Sequence, residues 1–375
     1  MRISFLHSAD WQIGKRFGSF PGDKPAVLRD QRLQAVDRLA QTATAAGCSA
    51  VLVAGDVFDA ETIPEAQSEQ LMARLRAYPA LAWHLLPGNH DPARAGGVWA
   101  GIVAGGLPRN VFVHVEPKAA EISPGVMLLP APLTSKRTST DPTAWMDAAA
   151  TPPGTLRIGL AHGSVQGFGS AGEANVPIDP ARCKKAGLDY LALGDWHGTM
   201  RISDRVWYSG TPEPDGFRDN DPGNALIVRL DGNAPPAVER VPTAHFTWRR
   251  REQKVEGAHS LDPVEAEVAA LASAAGRSLM SLELSGTVPL AELARIEERL
   301  GKLAPRVFHL AFDLSGVAAV ADAADLASLN SPALGDIAQR LKAMSEAGGS
   351  DAAVAGRALR RLFALARQAE AGVQA

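Results

Sequence analysis

Short apolar stretches, each followed by a polar residue or a glycine-containing turn, restrict the fold of this chain more than any other feature of its sequence. The strongest strand candidates are residues 2–9, 50–55, 81–88, 155–161 and 188–194. Helical patterns run from Ala26 to Ala46 and from Pro64 towards Arg76, between the first three strands. Weaker strand candidates are residues 111–115, 126–129 and 225–230. This alternation predicts an α/β domain that ends near Pro242.

The pattern changes after Pro242, where strands and helices alternate again over a shorter stretch. The candidates, in order, are a strand at 246–255, a helix at 263–275, a strand at 278–286, a helix at 290–303 and a strand at 306–314. This βαβαβ order is long enough for a small second domain. An alanine-rich region follows, with helical patterns at 334–345 and 352–369. We therefore expect three parts, which are an α/β domain over 1–242, a small α/β domain over 243–318 and a helical segment over 319–375.

Composition excludes several classes of protein. Of the 375 residues, 46% are hydrophobic and 21% are charged, which excludes a disordered or fibrous chain. The net charge of −3 excludes a globally basic nucleic-acid coat, so binding to DNA or RNA would need a local basic patch. Two cysteines, Cys48 and Cys183, are too few for a disulfide framework. No apolar run is long enough to span a membrane and no signal peptide is recognised, so we expect a cytoplasmic protein without a membrane partner.

Polar residues lie where the predicted strands end, and their side chains share a chemistry. They are Asp10, Asp56, Asp59, Asn89, His90, His162, Asp195 and His197. Ligands of α/β sheets bind beyond the carboxyl ends of the strands, so we expect these side chains to converge on one crevice. Carboxylate, carboxamide and imidazole groups suit a pair of hard or borderline divalent cations, and the absence of cysteine argues against a thiolate zinc site. Two such ions about 3.5–4 Å apart would activate water for in-line phosphoryl displacement.

The ordered motifs around these residues carry a family resemblance. In chain order they are DWQ, GDVFD, GNHD, AHG and GDWHG, and they resemble the five motifs of calcineurin-like metallophosphoesterases. Within that superfamily the chain looks most like DNA repair nucleases of the bacterial SbcD type and their YhaO-like relatives. The likeness covers roughly residues 1–240 by motif, and the segment YSGTPEPDGF from Tyr208 resembles a loop just beyond the last metal motif. It implies a four-layer β-sandwich flanked by helices, with the second domain as a small α/β cap over the DNA.

The resemblance also implies a metal centre with a role for each matching residue. Asp10 and His197 would bind a first metal ion, and Asp56 would bridge it to a second. Asn89 and His162 would bind the second ion. The usual activating ion of such nucleases is manganese, with magnesium as the alternative.

Three further residues receive roles from the same resemblance. His90 is not a metal ligand in the family; it contacts the scissile phosphate and stabilises or protonates the leaving oxygen. Asp59 and Asp91 would orient the ligands through hydrogen bonds.

Two positions depart from the family pattern. The first family motif is Asp-x-His, but its third position is Gln12 in this chain; the last is Gly-His-x-His, but its first histidine position is Asp195. Gln12 offers a neutral amide oxygen, which is a poorer ligand than imidazole, and Asp195 offers an anionic one. We therefore expect Gln12 and Asp195 to complete an oxygen-rich two-metal site that prefers Mn²⁺ or Mg²⁺ over Zn²⁺, with the first ion more labile. The alternative is a decayed site in a scaffold protein.

Basic residues near the first motif and at the start of the second domain could contact a nucleic-acid backbone. Lys15 and Arg16 follow the first motif closely, and Arg249 and Arg251 would share one face of a strand. That placement suits phosphate contacts without base readout. The alternative for the arginines is a solvated strand edge that charge protects from pairing.

These observations favour a cytoplasmic, metal-dependent phosphodiesterase, with a DNA exonuclease acting in repair as the first interpretation. The exonuclease assignment comes from the resemblance, since the motifs themselves indicate only phosphoester hydrolysis. The alternatives are a catalytically weakened scaffold that regulates an ATPase and a small-nucleotide phosphodiesterase. Expected partners are DNA, an SMC-like (SbcC-type) ATPase that grips the C-terminal helical segment, and a second copy of the chain. The C-terminal helices could equally pack onto their own domain.

Overall fold

The computed structural model of the chain describes residues 1–168, 175–232, 234–320, 329 and 332–373. They form two compact units, Met1–His245 and Phe246–Ala375, each with its own hydrophobic clusters. No helix in the described ranges is long and apolar enough to cross a membrane.

The first unit contains two six-stranded sheets. From edge to edge, the strands of the first sheet are β14 (Ala237–Pro242), β13 (Asn224–Leu230), β1 (Ile3–Ser8), β2 (Ala50–Val53), β3 (Ala82–Leu85) and β4 (Val111–Val113). Strands β1 to β4 are parallel, whereas β13 and β14 run antiparallel to their neighbours. The strands of the second sheet are β11 (Met200–Ser203), β12 (Val206–Tyr208), β10 (Tyr190–Gly194), β7 (Leu156–His162), β6 (Val126–Ala131) and β5 (Ala120–Ser123). Its four central strands are parallel and both edges are antiparallel.

The two sheets pack face to face, with helices on the outer faces. On β1, Phe5 lies in the cluster between the sheets, whereas Leu6 lies in the cluster that packs on the helices. Burial on both faces explains why these strands are continuous apolar runs rather than alternating ones. The helices of this unit are α1 (Lys24–Ala45), α2 (Glu65–Arg76), α3 (Val98–Gly105) and the short α4 (Arg182–Lys185), with a 3₁₀ turn at Ala144–Asp147. A two-stranded ribbon of β8 (Ser164–Val165) and β9 (Pro177–Ile178) follows β7.

The second unit is a three-stranded parallel sheet with helices. Its strands, in spatial order, are β15 (Thr247–Val255), β16 (Ser278–Pro289) and β17 (His309–Val320). Its helices are α5 (Asp262–Ala270), α6 (Leu290–Leu303), α7 (Pro332–Glu346) and α8 (Ala352–Val373), with 3₁₀ turns at Ala258–Leu261, Ala272–Arg277 and Ala304–Arg306. The C-terminal helices share a small cluster with α6, formed by Leu290, Ala338, Leu359 and Phe363.

The predicted fold class is confirmed as a mixed α/β structure with a helical C-terminal segment. The predicted helix at 263–275 is shorter in the structure, because Ala272 adopts a φ of 47° that an α-helix does not allow. A 3₁₀ turn takes its place up to Arg277. The predicted strand at 306–314 begins at His309 and continues to Val320, after another 3₁₀ turn.

Candidate metal centre

Five loops that follow parallel strands bring the predicted site residues to one edge of the sandwich. Asp10 lies two residues beyond β1 and Asp56 three residues beyond β2, whereas Asn89 lies four beyond β3. His162 is the last residue of β7 and pairs in register with Gly194, which precedes Asp195. Backbone bonds tie the first two loops together, since the Asp10 N–H donates to Gly55 O at 3.1 Å.

The backbone is strained at several of these positions. Positive φ angles occur at Asp10 (55°), Gln12 (44°), Asp56 (53°), Asp195 (103°) and His197 (61°). Such conformations are costly for residues other than glycine and persist where the surrounding structure over-determines them, which is common in functional sites. Two glycines allow a close approach: a Cβ on Gly88 would lie 2.2 Å from Asp56 Oδ1, and one on Gly55 would lie 2.3 Å from His162 Nδ1.

Asp10, Asp56 and His162 form the centre of the site. One potential ligand atom from each of these buried residues lies within 4.8 Å of the others. His162 Nδ1 lies 2.8 Å from Ala54 O, so Nδ1–H donates to that carbonyl and Nε2 carries the lone pair of the neutral imidazole. Nε2 lies 3.5 Å from Asp56 Oδ1 and 3.8 Å from Asp195 Oδ1.

Two acceptor atoms at this edge are buried without a hydrogen-bond donor among the described residues. They are His162 Nε2 and Asn89 Oδ1. The residue after Asn89 is attached to the centre, since the His90 N–H donates to Asp56 Oδ1 at 2.9 Å. Unpaired buried acceptors are rare because they lose their hydration without replacement. Together with the two carboxylates, they make a donor set that fits a hard or borderline divalent cation.

The electrostatics of the centre also favour a cation. The pKa of Asp10 is raised to about 6, chiefly because the side chain is buried; His197 and His162 oppose the rise, whereas the carboxylates of Asp56 and Asp195 add to it. Burial alone would lower the pKa of His162, but the charges of Asp56, Asp10 and Asp195 outweigh it and raise the pKa to about 9. These negative charges favour a positive charge at this position, which is either a proton on His162 or a metal ion that replaces that proton.

His90 is the exposed polar group of the site. Its side chain is 46% exposed, and its Nε2 lies 4.0 Å from Asp56 Oδ2. Its Nδ1 lies 3.1 Å from Asp59 O, so Nδ1–H donates to that carbonyl and Nε2 stays available for another partner. His90 is therefore placed beside the metal centre, where it can contact a substrate.

The two predicted supporting aspartates have different surroundings. Asp91 is fully buried and accepts the Gly88 N–H at 2.6 Å and the Phe58 N–H at 3.0 Å, which holds the loop after β3 against the loop after β2. Burial, together with the charge of Asp56, raises the pKa of Asp91 well above its usual range. Asp59 is half-buried, and burial raises the pKa of its side chain. It contributes its carbonyl oxygen to His90.

His197, Gln12 and Lys15 are joined to an aspartate that sequence reasoning missed. Asp215 Oδ1 lies 3.3 Å from His197 Nδ1, and its Oδ2 lies 2.6 Å from Lys15 Nζ. Burial alone would raise the pKa of Asp215, but His197, Arg32 and Lys15 hold it well below its usual range. Asp215 belongs to the YSGTPEPDGF segment, whose likeness to the family loop was the signal that could have identified it.

Arg32 is a second residue that the sequence analysis missed. It is buried in α1 and donates to the carbonyl oxygens of Asp10 (3.2 Å), Trp11 (2.8 Å) and Glu213 (2.9 Å). It thereby joins the first motif to the loop between β12 and β13. No motif or local pattern in the sequence distinguishes Arg32 from an ordinary polar residue of a helix, so the sequence alone could not identify it.

The basic residues predicted to meet nucleic acid have mixed surroundings. Lys15 lies inside the site, whereas Arg16 is exposed. Arg249 and Arg251 lie on β15 in the second unit, and both pair with Glu267, at 2.9 and 2.8 Å. Between them, Arg250 pairs with Glu283 at 2.7 Å. These arginines therefore have acidic partners within their own unit, and both phosphate contact and protection of the strand edge stay predictions.

Comparison with known proteins identifies the family. The solved structure of TT1561 from Thermus thermophilus shares 12% identity and a TM-score of 0.41, covering 65% of this chain and 100% of that one. No curated protein matches the chain. The model of the calcineurin-like phosphoesterase family matches residues 3–199, which is more than half of the chain and includes all five motifs. The chain therefore belongs to the calcineurin-like phosphoesterases, which are metal-dependent hydrolases of phosphoesters.

Proposed function

We propose that the protein is a metal-dependent phosphodiesterase that degrades DNA from its ends in repair. The observation that supports hydrolysis is the pair of buried acceptors without a donor in the described part of the chain, His162 Nε2 and Asn89 Oδ1, beside the carboxylates of Asp10 and Asp56. The choice of DNA depends on the likeness of the five motifs to SbcD-type nucleases. An SMC-like ATPase and a second copy of the chain remain proposed partners on the same ground.

The residues that would hold a divalent cation, Mn²⁺ or Mg²⁺, lie where the parallel strands end. They are Asp10, Asp56 and His162, with Asn89 and Asp195 beside them. When bound, such a cation supplies activation of water and neutralises charge on the phosphoryl oxygens. Asp195 is oriented for this role, because its Oδ2 accepts the Ser164 hydroxyl at 2.7 Å while its Oδ1 faces His162.

His90 is the side chain placed to act on the substrate. In hydrolysis a water oxygen adds to phosphorus, the bond to the leaving oxygen breaks, and that oxygen takes a proton. With Nδ1–H committed to the Asp59 carbonyl, a protonated His90 can give its Nε2 proton to the leaving oxygen. Asp56 holds the backbone of His90 through the N–H bond at 2.9 Å, so the same carboxylate positions both parts of the site.

The first test uses end-labelled linear duplex DNA with Mn²⁺, Mg²⁺ or Zn²⁺. We expect metal-dependent shortening from the ends, with Mn²⁺ or Mg²⁺ more effective than Zn²⁺. His90→Gln should lower the rate by about 10²- to 10⁴-fold while Mn²⁺ binding, measured by calorimetry, stays unchanged. Asp56→Asn should lose both DNA cleavage and Mn²⁺ binding. Asp37→Asn, which removes a carboxylate that pairs with Arg74 at the surface, is the matched control.

Two results would contradict this proposal. Equal cleavage by wild-type protein and His90→Gln would exclude the role of His90. Mn²⁺ binding without hydrolysis of DNA or of a chromogenic phosphodiester would favour the scaffold.

A small-nucleotide phosphodiesterase is the second candidate, and the ion pairs of β15 favour it. Glu267 pairs with both Arg249 and Arg251, and Glu283 pairs with Arg250, so two carboxylates offset two of the three positive charges. This strand therefore offers less positive charge to a DNA backbone than its sequence suggests. Metal-dependent hydrolysis of cyclic or short nucleotides without cleavage of linear duplex DNA would select this candidate.

A further inference from the structure

The carboxamide of Gln12 lies between Lys15, which can only donate hydrogen bonds, and His197, whose ring nitrogen can accept one. Gln12 is 1% exposed, and its Oε1 lies 3.0 Å from Lys15 Nζ while its Nε2 lies 3.2 Å from His197 Nε2. A carboxamide has an accepting oxygen at one end and a donating NH₂ at the other, and its neighbours decide which end faces which way.

Lys15 decides the orientation. An ammonium group has only donors, so each of its contacts must be an acceptor. Asp215 Oδ2 takes one of its protons at 2.6 Å, and Gln12 Oε1 takes another. Turning the amide over would place its NH₂ against the ammonium at the same short distance, donor against donor. The oxygen of Gln12 is therefore held towards Lys15.

The NH₂ group of Gln12 consequently faces His197. Asp215 accepts the Nδ1–H of His197, which leaves Nε2 with a lone pair. The Gln12 N–H donates to that lone pair at 3.2 Å, and the four side chains close a ring of hydrogen bonds. His197 Nε2 uses its lone pair to accept this hydrogen bond, and the NH₂ group of Gln12 has no lone pair to offer a metal ion. These two groups are therefore not arranged to bind a cation. His162 Nε2, by contrast, has no such donor among the described residues.

We propose that Lys15, through the orientation of Gln12, limits this chain to one tightly bound metal ion, held by Asp10, Asp56 and His162. The inference rests on the metal centre of the proposed function and departs from the expectation that Gln12 is a ligand of a first ion. Lys15 acts as a positioning residue: its side chain is 27% exposed, and its ammonium contacts the Gln12 oxygen and pairs with Asp215.

The test is the number of Mn²⁺ ions that the full-length protein binds. Calorimetric titration, metal analysis after gel filtration and electron paramagnetic resonance should show one tight ion per wild-type chain, with the hyperfine pattern of an isolated ion. Lys15→Met frees the amide to turn its oxygen towards His197, and Gln12→His supplies an imidazole. Each variant should bind a second ion at least tenfold more tightly than the wild type, with the exchange-coupled signal of a pair. Arg16→Met, which removes the same charge from the next residue outside the ring, should bind one ion.

The outcomes separate this inference from the proposed function. Two ions of similar affinity in the wild type would overturn the inference but leave the metal centre in place. A single ion in Lys15→Met, with a thermal unfolding profile like that of the wild type, would overturn it as well. A wild-type protein that binds no Mn²⁺ would instead contradict the metal centre of the proposed function.

Discussion

Asp215 shows how one side chain can determine the chemical state of another. Its carboxylate accepts the Nδ1–H of His197, which selects the tautomer that keeps Nε2 as an acceptor. Burial alone would lower the pKa of His197, but Asp10 and the contact with Asp215 raise it. The imidazole is therefore oriented and polarised by a residue that touches neither Asp56 nor His162 in any hydrogen bond of the described structure.

Replacing the carboxylate of Asp215 should lower the hydrolytic activity without abolishing it. Asp215→Asn can present an NH₂ to His197 and removes the charge that pairs with Lys15. We expect a loss of about 10- to 100-fold in kcat/KM on a chromogenic phosphodiester, because His197, whose Nε2 lies 3.9 Å from Asp10 Oδ1, would lose the partner that orients it. Asp221→Asn is the matched control, because Asp221 lies in the same loop and pairs with Arg240 at the surface. Equal rates for both variants would show that Asp215 does not orient His197.

Among the elements, the turn after β3 passes unusually close to the loop after β2. The space at Gly88 is filled by Asp56, whose backbone nitrogen would lie 2.4 Å from an added Cβ. Asp91 fixes the same turn by accepting the Gly88 N–H. Neither loop can move away alone, because the His90 N–H also binds Asp56.

A single methyl group at this turn should therefore disrupt the metal centre. Gly88→Ala is expected to lower the free energy of unfolding by about 1–3 kcal/mol, as overpacking does, and to reduce Mn²⁺ affinity because Asp56 must shift. Gly101→Ala in α3 is the matched control: a Cβ there meets no atom within 4 Å, and alanine favours the helix by up to about 1 kcal/mol. Urea unfolding and calorimetry measure both quantities. Unchanged Mn²⁺ binding by Gly88→Ala would show that the turn does not position Asp56.

The C-terminal helices bury one face and expose another. Leu359 and Phe363 of α8 pack with Leu290 and Ala338, so these helices belong to the second unit. Ile337 and Met344 of α7 remain exposed. Docking of an ATPase partner on this segment stays a prediction.

For the molecule as a whole, a histidine pair, with His84 buried and His114 half-buried, couples the stability of the first unit to pH. His84 and His114 stack with ring centroids 5.3 Å apart, and His84 Nδ1 lies 3.1 Å from His114 Nε2. Burial lowers the pKa of His84 to about 3, with a smaller contribution from His114, and burial lowers that of His114 to about 4. Both values lie below the 6.5 of a free histidine, so the unfolded chain binds more protons than the folded one below pH 6.5.

The stability of the first unit should therefore fall as the pH decreases from 6.5 towards 4. The expected slope is about 1 kcal/mol of unfolding free energy per pH unit for each histidine. The double variant His84→Gln and His114→Gln should have a shallower slope in this window, measured by urea unfolding at several pH values. Between pH 7 and 8 the two proteins should show the same slope. Parallel curves throughout the acidic window would exclude the pair as the source.

The sequence by itself determined the long apolar strands and most of the helices, together with the polar residues at the strand ends. Both follow from local chemistry: doubly buried strands must be apolar throughout, and the residue that leaves a parallel strand must enter the crevice at its carboxyl end. The sequence did not predict the shorter or more polar strands β5, β8, β9, β11, β12 and β14. The helix end at Ala270 escaped prediction because nothing local signals the positive φ of Ala272.

Only the tertiary structure decided how the site residues are connected. Lys15 and Asp215 are 200 positions apart, and Gln12 and His197 are 185 apart, so neither contact leaves a periodic or compositional signal. The sequence suggested that Lys15 could meet a phosphate backbone, whereas the folded chain directs its ammonium to Gln12 and Asp215. Side-chain types set what each group can donate or accept, but the partner it meets depends on the packing of two sheets and their loops, which no short stretch of sequence encodes.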